Sequence, residues 1–205
     1  MQPEIKKIRK AMEKSLDTKR YEHTLGVAYT AAALAMCYDA SIKNAELAGL
    51  LHDCAKYLTG EKLLFICLKH NICINMVERH NPYLLHAKVG SFLAMEEYHV
   101  YDTDIINAIL NHTTGRPGMS VLEKIIFVAD YIEPNRNKAP ELREIRKLAF
   151  LDLDRALLRI LESTFNYLKS TGNEYDPMTE KTYEYYKKLL LEGDVEWRKK
   201  NVHLT

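Results

Sequence analysis

Apolar residues recur with helical spacing along the chain, and no segment shows a convincing strand pattern. Two amphipathic segments come first, residues 3–14 and a longer segment that Asp17 caps and that runs to about Tyr38. The longer segment has apolar positions on both faces, which predicts a central helix with neighbours packed around it. The predicted fold class is therefore all-α, with short connections between the helices.

Capping residues and prolines divide the rest of the chain into further helices. Ser120 and Glu123 have the spacing of a capping box, and Pro134 ends the helix that they open. The other start signals are Thr59, Pro82, Asp102 and Pro177. The predicted helices cover residues 42–56, 60–69, 83–98, 103–114, 121–133, 140–169 with a break near 151–152, and 178–193.

Composition narrows the class of protein. The 205 residues are 47% hydrophobic, which is enough for one substantial core and favours a single domain over residues 1–205. The 29 Lys and Arg nearly balance the 28 Asp and Glu, so no basic block predicts a nucleic-acid partner. The apolar runs are too short to predict a membrane segment, and the charged first residues do not form a signal peptide. Four cysteines without metal-site spacing indicate reduced thiols in a cytoplasmic protein.

Polar residues interrupt several of the apolar helices. Taken singly, a histidine in such a place is more often a hydrogen-bonded part of the core than a ligand. Taken together, four imidazoles and two carboxylates could converge in one bundle core, as metal ligands do in helix bundles. Such donors suit divalent iron, manganese or zinc, and the absence of thiolates argues against a structural zinc. The six residues are His23, His52, Asp53, His86, His112 and Asp130.

The adjacent pair His52 and Asp53 suggests how the metal would be held. Neighbours on a helix are turned by about 100°, so they do not share a face, but both can reach one cation. Alternatively, Asp53 bridges two cations while His52 holds one of them. A carboxylate between two metals about 3.5–4 Å apart is typical of the two-metal scheme for phosphoryl chemistry.

The ordered pattern H…HD…H…H…D resembles the HD superfamily of metal-dependent phosphohydrolases. The nearer resemblance is to YqeK-like bacterial HD hydrolases, which cleave diadenosine tetraphosphate symmetrically to two ADP. It covers most of residues 18–137 and implies one HD domain, with the helices of residues 140–192 packed on that core. The glycine-rich motif of the cyclic-dinucleotide phosphodiesterase branch is absent. The segments that carry the resemblance are RYEHTLGVAYTA, LLHDCAKYLTGEKLL, NPYLLHAKVGSFLA and ILNHTTGRPGMSVLEKIIFVADYIEPNR.

The resemblance implies a distribution of the metal ligands and a reaction. One metal would be held by His23, His52, Asp53 and Asp130. The second would be held by His86 and His112, with Asp53 between the two metals. The family usually holds iron, although this sequence does not distinguish iron from manganese or zinc. Metal-activated water would attack an inner phosphorus, with His52, Asp53 and Lys56 as the catalytic residues.

Cationic residues near these motifs suit a polyphosphate substrate. Lys56 follows Asp53 by three residues and could touch a metal-bound phosphate, as could Arg20, Arg116 and Arg136. The simpler interpretation of an arginine beside a turn is a solvated surface residue.

Three uncharged residues are further candidates for the substrate site. Thr113 is either a helix-end cap or a phosphate donor. Tyr83 and Leu85 could flank an adenine, although packing in the core is the simpler account for them.

Two alternatives to the tetraphosphate hydrolase stay open at this point. One is an HD phosphohydrolase for a mononucleotide, a deoxynucleotide or a guanosine alarmone. The other is a nucleotide-sensing module without turnover. In each case the expected partner is a small-molecule nucleotide. A homodimer is also compatible with the sequence, because the tyrosine-rich last helix has a stripe that suits either the core or a dimer surface.

Overall fold

The computed structural model describes residues 4–172 and 174–201, with side chains up to residue 192. This description leaves out residues 1–3, 173 and 202–205 of the expected single domain. Residue 3 is also the first residue of the first predicted helix. Helices and turns, without any strand, make up the described part, which confirms the all-α prediction. The helices are α1 (Ile5–Ser15), α2 (Thr18–Cys37), α3 (Ile42–Leu51), α4 (Gly60–Lys69), α5 (Met76–His80), α6 (His86–Glu96), α7 (Thr103–Leu110), α8 (Val121–Ile132), α9 (Leu142–Ala149), α10 (Leu153–Thr171) and α11 (Pro177–Asn201).

Three predicted helices are shorter than their hydrophobic patterns indicated. The helix predicted for residues 42–56 ends at Leu51, because the next residues turn tightly, with Lys56 N–H donating to Asp53 O over 2.9 Å. The helix predicted from residue 83 begins as a 3₁₀ turn, Pro82–Leu85, before α6. The helix predicted for residues 103–114 ends at Leu110.

One helix was missed and one break was predicted correctly. The short α5 is closed by a capping box between Asn75 and Glu78, and its five residues are too few to show helical periodicity. The predicted break is real, because α9 ends at Ala149 and the Asp152 side chain caps α10.

The central helix is α2, which packs against α3 and α8. Its buried residues include Val27, Ala28 and Leu34. Burial of both faces was predicted, but Tyr29 and Met36 are more than half exposed, so α2 keeps one strip that faces solvent. At Gly49 of α3, an added Cβ would lie 2.7 Å from Ala28 Cα, so glycine permits α2 and α3 to approach closely.

The C-terminal helices join the same hydrophobic cluster as α2, α3 and α8. Leu157 and Leu161 of α10 are fully buried in it. Tyr186 of α11 is buried as well, and its hydroxyl accepts a 2.9 Å hydrogen bond from Met119 N–H. Within the described residues, no helix combines the length and apolar character needed to cross a bilayer.

Candidate metal centre

The structure brings the six predicted histidine and aspartate residues into one cluster. The imidazole rings form a chain, with centroids 5.4, 5.0 and 5.1 Å apart from one ring to the next. All except Asp130 are buried. Five segments supply them: α2 (His23), the turns after α3 (His52 and Asp53), the start of α6 (His86), the turn after α7 (His112) and α8 (Asp130).

Three of the imidazoles are anchored in the same way. In each, Nδ1 donates to the backbone carbonyl three residues earlier. At the ends of α3 and α7 these carbonyls have no further helical partner, whereas Tyr83 O also accepts from the His86 backbone N–H. The bonds join His52 to Gly49 (2.7 Å), His86 to Tyr83 (2.8 Å) and His112 to Ile109 (2.7 Å). Because a carbonyl only accepts, the proton is on Nδ1, and Nε2 is left as an acceptor that faces the cluster.

The fourth imidazole, that of His23, is anchored by a carboxylate instead. Its Nδ1 donates to Oε1 of the buried Glu133 over 3.2 Å. The other oxygen of Glu133 accepts from Asn135 N–H at 2.7 Å. A Cβ at position 26 would clash with the Glu133 carboxylate, so Gly26 leaves room for this carboxylate beside His23. Glu133 was not predicted from the sequence, although a glutamate that ends an apolar helix just before Pro134 was a usable signal.

The cluster fits a divalent metal ion. The Nε2 atoms of His23 and His52 are buried and lack a hydrogen-bond partner among the described residues, although His23 Nε2 lies 3.0 Å from Asp130 Oδ1. Two triads each bring their ligand atoms within 4.8 Å of one another: His23, His52 and Asp130, and His52, Asp53 and His112. Unpaired imidazole nitrogens beside carboxylates are a donor set that suits iron, manganese or zinc.

Asp53 lies between three of the imidazoles. Its Oδ1 is 3.4 Å from Nε2 of His86 and 3.5 Å from Nε2 of His112, and its Oδ2 is 3.6 Å from Nε2 of His52. With both oxygens facing imidazole nitrogens, this carboxylate is placed to contact cations on either side.

The charge states of the cluster also favour metal binding. Burial lowers the pKa of His52 to about 4 and that of His86 to about 3, so both imidazoles are neutral near pH 7. Burial alone would raise the pKa of Asp53, but the neighbouring His52 and His112 hold it well below its usual value. Neutral imidazole and ionised carboxylate are the forms that bind metals.

His23 and Asp130 form a second electrostatic unit. Burial works to lower the pKa of His23, but the Asp130 and Glu133 carboxylates outweigh it and raise the pKa. In return, and against the effect of burial, His23 holds the pKa of Asp130 well below its usual value. His23 is therefore the imidazole at which a metal cation would replace a proton between two carboxylates.

Three of the four predicted cationic residues lie at the rim of the cluster. Arg20 Nη1 donates to Asp53 Oδ2 over 2.8 Å, and Arg136 Nη2 donates to Asp130 Oδ1 over 3.0 Å. The ammonium of Lys56 lies 4.0 Å from Asp53 Oδ1. Each is partly exposed, so each could contact both a carboxylate of the cluster and a phosphate arriving from solvent.

The fourth cation, Arg116, has another partner. It donates from Nε and Nη2 to the two carboxylate oxygens of Glu123, over 2.7 and 2.6 Å. Glu123 is buried and closes the capping box of α8. The guanidinium of Arg116 is thus held against the start of α8.

The three uncharged candidates for the substrate site differ in whether a ligand can reach them. Leu85 is fully buried in the core, whereas Tyr83 is 61% exposed. Thr113 lines a small cavity of about 240 Å³ together with His112, Asp130 and Arg136. Of these three residues, Tyr83 and Thr113 can therefore be reached by a ligand.

Comparisons with known proteins agree with this site. The HD domain family matches residues 20–135. The chain is 42% identical to "Bis(5'-nucleosyl)-tetraphosphatase, symmetrical" of Bacillus subtilis strain 168, over 85% of this chain and 92% of the relative. It is 40% identical to a protein of the same name from Halalkalibacterium halodurans, over 86% of this chain and 92% of that protein.

A solved structure is similar throughout. It is a crystal structure from Clostridium acetobutylicum, described as a "predicted HD superfamily hydrolase involved in NAD metabolism". The TM-score is 0.87 at 40% sequence identity, over 92% of this chain and 99% of that one. Because the family match covers more than half of the chain and includes the whole cluster, this chain belongs to the HD domain family.

Proposed function

We propose that this protein hydrolyses diadenosine tetraphosphate symmetrically, giving two molecules of ADP. The observation that carries the proposal is the buried cluster, in which four anchored imidazoles surround ionised carboxylates beneath a rim of three cations. The relatives named as symmetrical tetraphosphatases, similar over most of their length, support this choice of substrate.

The residues of the cluster and its cationic rim have different roles in the proposed hydrolysis. A bound divalent metal supplies Lewis-acid polarisation of a phosphate and lowers the pKa of a water molecule. Asp53 contributes a carboxylate between the two halves of the cluster, and Arg20 fixes its orientation through Oδ2. Lys56 and Arg136 bind phosphate oxygens and stabilise the negative charge that develops on the departing ADP.

The assignment of individual residues is part of the proposal. The metal ligands are the six residues of the cluster, with His52, Asp53 and Lys56 as the catalytic residues. Thr113 and Tyr83 contact the substrate beside Arg20, Lys56 and Arg136. The resident metal is proposed to be iron in a dinuclear site, with manganese or zinc as the alternatives that elemental analysis of the purified protein would reveal.

The products of the reaction test the function. Protein loaded with Fe²⁺ or Mn²⁺ is mixed with diadenosine tetraphosphate, and the early products are separated by chromatography. ADP alone is expected, whereas ATP with AMP would reject attack on an inner phosphorus. Intact substrate, together with turnover of a mononucleotide, deoxynucleotide or guanosine alarmone, would point to another HD phosphohydrolase. Nucleotide binding without any turnover would point to a sensing module.

A pair of neighbouring variants ties turnover to the cluster. Asp53→Asn keeps the size of the side chain but removes the charge that faces three imidazoles, so turnover and metal content should both fall sharply. Cys54→Ala is the matched control, because the Cys54 thiol is buried and bonds Gly90 O. Normal activity in Asp53→Asn would contradict the proposed role.

Three broader properties complete the proposal. The whole chain acts as one HD domain, since α10 and α11 share the hydrophobic cluster of the motif-bearing helices. A cytoplasmic location is supported by four free cysteines. A homodimer is supported by an exposed apolar strip on α4, where Phe65 and Leu68 lie on one face, and light scattering would measure its mass.

A further inference from the structure

A second, larger cavity opens beside the metal centre. Its volume is about 730 Å³, within the range of roughly 300–1,000 Å³ that is common for small-molecule sites. One wall comes from residues 75–88 and the other from residues 164–179, so the cavity lies between the family-matched core and the C-terminal helices. Pockets between such units are frequent ligand sites.

This cavity adjoins a smaller one at the metal centre. Thr113 and Thr164 line both the larger cavity and the 240 Å³ cavity that His112, Asp130 and Arg136 line. A ligand that occupied both cavities would pass Thr113.

The charges of the two cavities differ in sign. Among its described lining residues, the larger cavity has three carboxylates, from Glu78, Glu174 and Asp176, and one ammonium, from Lys88. Lys88 is already paired with Glu78 at 2.7 Å. A phosphate chain would be repelled there and attracted to the cationic rim of the metal centre, whereas an uncharged group with hydrogen-bond donors suits the carboxylates.

Each of the two walls contributes one exposed tyrosine. Tyr83 belongs to the first wall and Tyr167 to the second, and they are 61% and 65% exposed. Neither hydroxyl has a hydrogen-bond partner among the described residues. Exposed aromatic rings beside a polar cavity suit a planar base, which stacks on them whatever its identity.

We propose that the larger cavity holds the nucleoside end of the substrate, with its base stacked on Tyr167 and Tyr83. The ribose hydroxyls donate to carboxylate oxygens of the walls, and the phosphates reach back past Thr113 to the metal centre. This assignment rests on the proposed function, and it adds the C-terminal helices to the binding site. It also makes Tyr167, which lies outside the family-matched residues, a residue that binds the base.

Equilibrium binding of two probes tests the assignment. ADP and inorganic tripolyphosphate are titrated separately into Mn²⁺-loaded protein and followed by calorimetry. Tyr167→Ala should weaken ADP binding about tenfold, a loss typical of one base–aromatic stack, and leave tripolyphosphate binding unchanged. Tyr101→Ala is the matched control, because Tyr101 is 72% exposed and lies outside the cavity lining. Tyr167 is itself exposed, so its variant should fold, which circular dichroism verifies.

The outcomes separate this assignment from the proposed function. Unchanged ADP affinity in both Tyr167→Ala and Tyr83→Ala would overturn the nucleoside site, as would equal weakening of both probes or no ADP binding to the wild type. If ADP binding depends on Tyr167 but diadenosine tetraphosphate is not hydrolysed, the cavity assignment stands and the proposed function fails. If diadenosine tetraphosphate is hydrolysed to ADP but substitution of neither tyrosine changes ADP binding, the proposed function stands and the cavity assignment fails.

Discussion

At the scale of single residues, His23 differs from the other three imidazoles of the cluster. Backbone carbonyls hold the others, but a charged and buried carboxylate, Glu133, holds His23. A carboxylate partner makes an imidazole a stronger metal ligand than a carbonyl does, because it stabilises the positive charge that the ring shares with the metal. His23 also faces Asp130 through Nε2, so it joins a ligand carboxylate to a supporting one.

The role of Glu133 can be measured through metal affinity. Glu133→Gln keeps an acceptor of similar size but removes the charge, so the affinity for Mn²⁺ should fall roughly 10–100-fold. Competition with a chromophoric chelator measures the change, and Glu162→Gln, at an exposed position on α10, is the control. Equal affinity in Glu133→Gln and wild type would show that the residue is only part of the packing.

Arg116 and Arg136 were both predicted to bind phosphate, but their substitution should change different properties, the stability of the fold for Arg116 and substrate binding for Arg136. Arg116→Ala removes two hydrogen bonds from the buried Glu123 carboxylate, so it should lower the free energy of unfolding by about 1–3 kcal/mol. Arg136→Ala removes an exposed cation beside Asp130, so it should raise KM for the tetraphosphate and change stability little. Urea unfolding and steady-state kinetics of both variants give the comparison. Wild-type stability with a raised KM in Arg116→Ala would instead place Arg116 at the phosphates.

At the scale of elements, the metal centre is built from helix ends. His52 follows α3 and His112 follows α7, so carbonyls at these helix ends are available to anchor the two imidazoles, and His86, which begins α6, is anchored by a carbonyl of the preceding 3₁₀ turn. The position of each ligand therefore depends on how closely the helices pack. At Gly49, α3 approaches the backbone of α2 closely.

Two glycine variants test that approach. In Gly49→Ala the new Cβ would meet backbone atoms of Ala28 at 2.7 and 3.0 Å, which cannot move without separating α2 from α3. We expect a net loss of about 1–3 kcal/mol from overpacking, despite the better helix propensity of alanine. In Gly90→Ala the nearest atom is Cys54 Sγ at 3.5 Å, an ordinary contact, so stability should be unchanged or slightly higher. Urea unfolding of chelator-treated protein compares them, and similar stability of the two variants would contradict the close-packing argument.

At the scale of the whole molecule, the metal centre connects segments that are far apart in the sequence. The proposed ligands come from residues 23 to 130, and the groups that anchor them extend to Glu133. A metal that binds the folded chain and not the unfolded one stabilises the fold by mass action, by about 2.7 kcal/mol at a concentration one hundred times Kd.

Removal of the metal should therefore lower the melting temperature of the protein. Treatment with a chelator should lower Tm, and Mn²⁺ or Fe²⁺ should restore it in a concentration-dependent way, as followed by scanning fluorimetry. Mg²⁺ should restore little, because it prefers oxygen ligands to imidazole. A Tm that is the same with and without chelator, in protein shown to carry metal beforehand, would contradict the coupling.

Most of the helices, and the chemistry of the cluster, could be predicted from the amino-acid sequence. Helical period and capping are local properties, so the caps at Asp17, Thr59, Asp102 and Ser120 are confirmed in the structure. The identity of the cluster was also predictable, because titratable residues in apolar helices need compensating partners when they are buried. Each of the six residues lies in or at the end of an apolar helix pattern, which the sequence shows without any knowledge of their contacts.

Tertiary structure alone decided which partner each polar group meets. Glu133 anchors His23 from 110 residues away, and Arg116, which was predicted to contact phosphate, donates to Glu123. The cavity between residues 75–88 and 164–179 exists only because α10 and α11 pack on the rest of the chain. Spacing along a helix fixes which residues share a face, but the meeting of distant segments depends on the packing of the whole core, which no local pattern encodes.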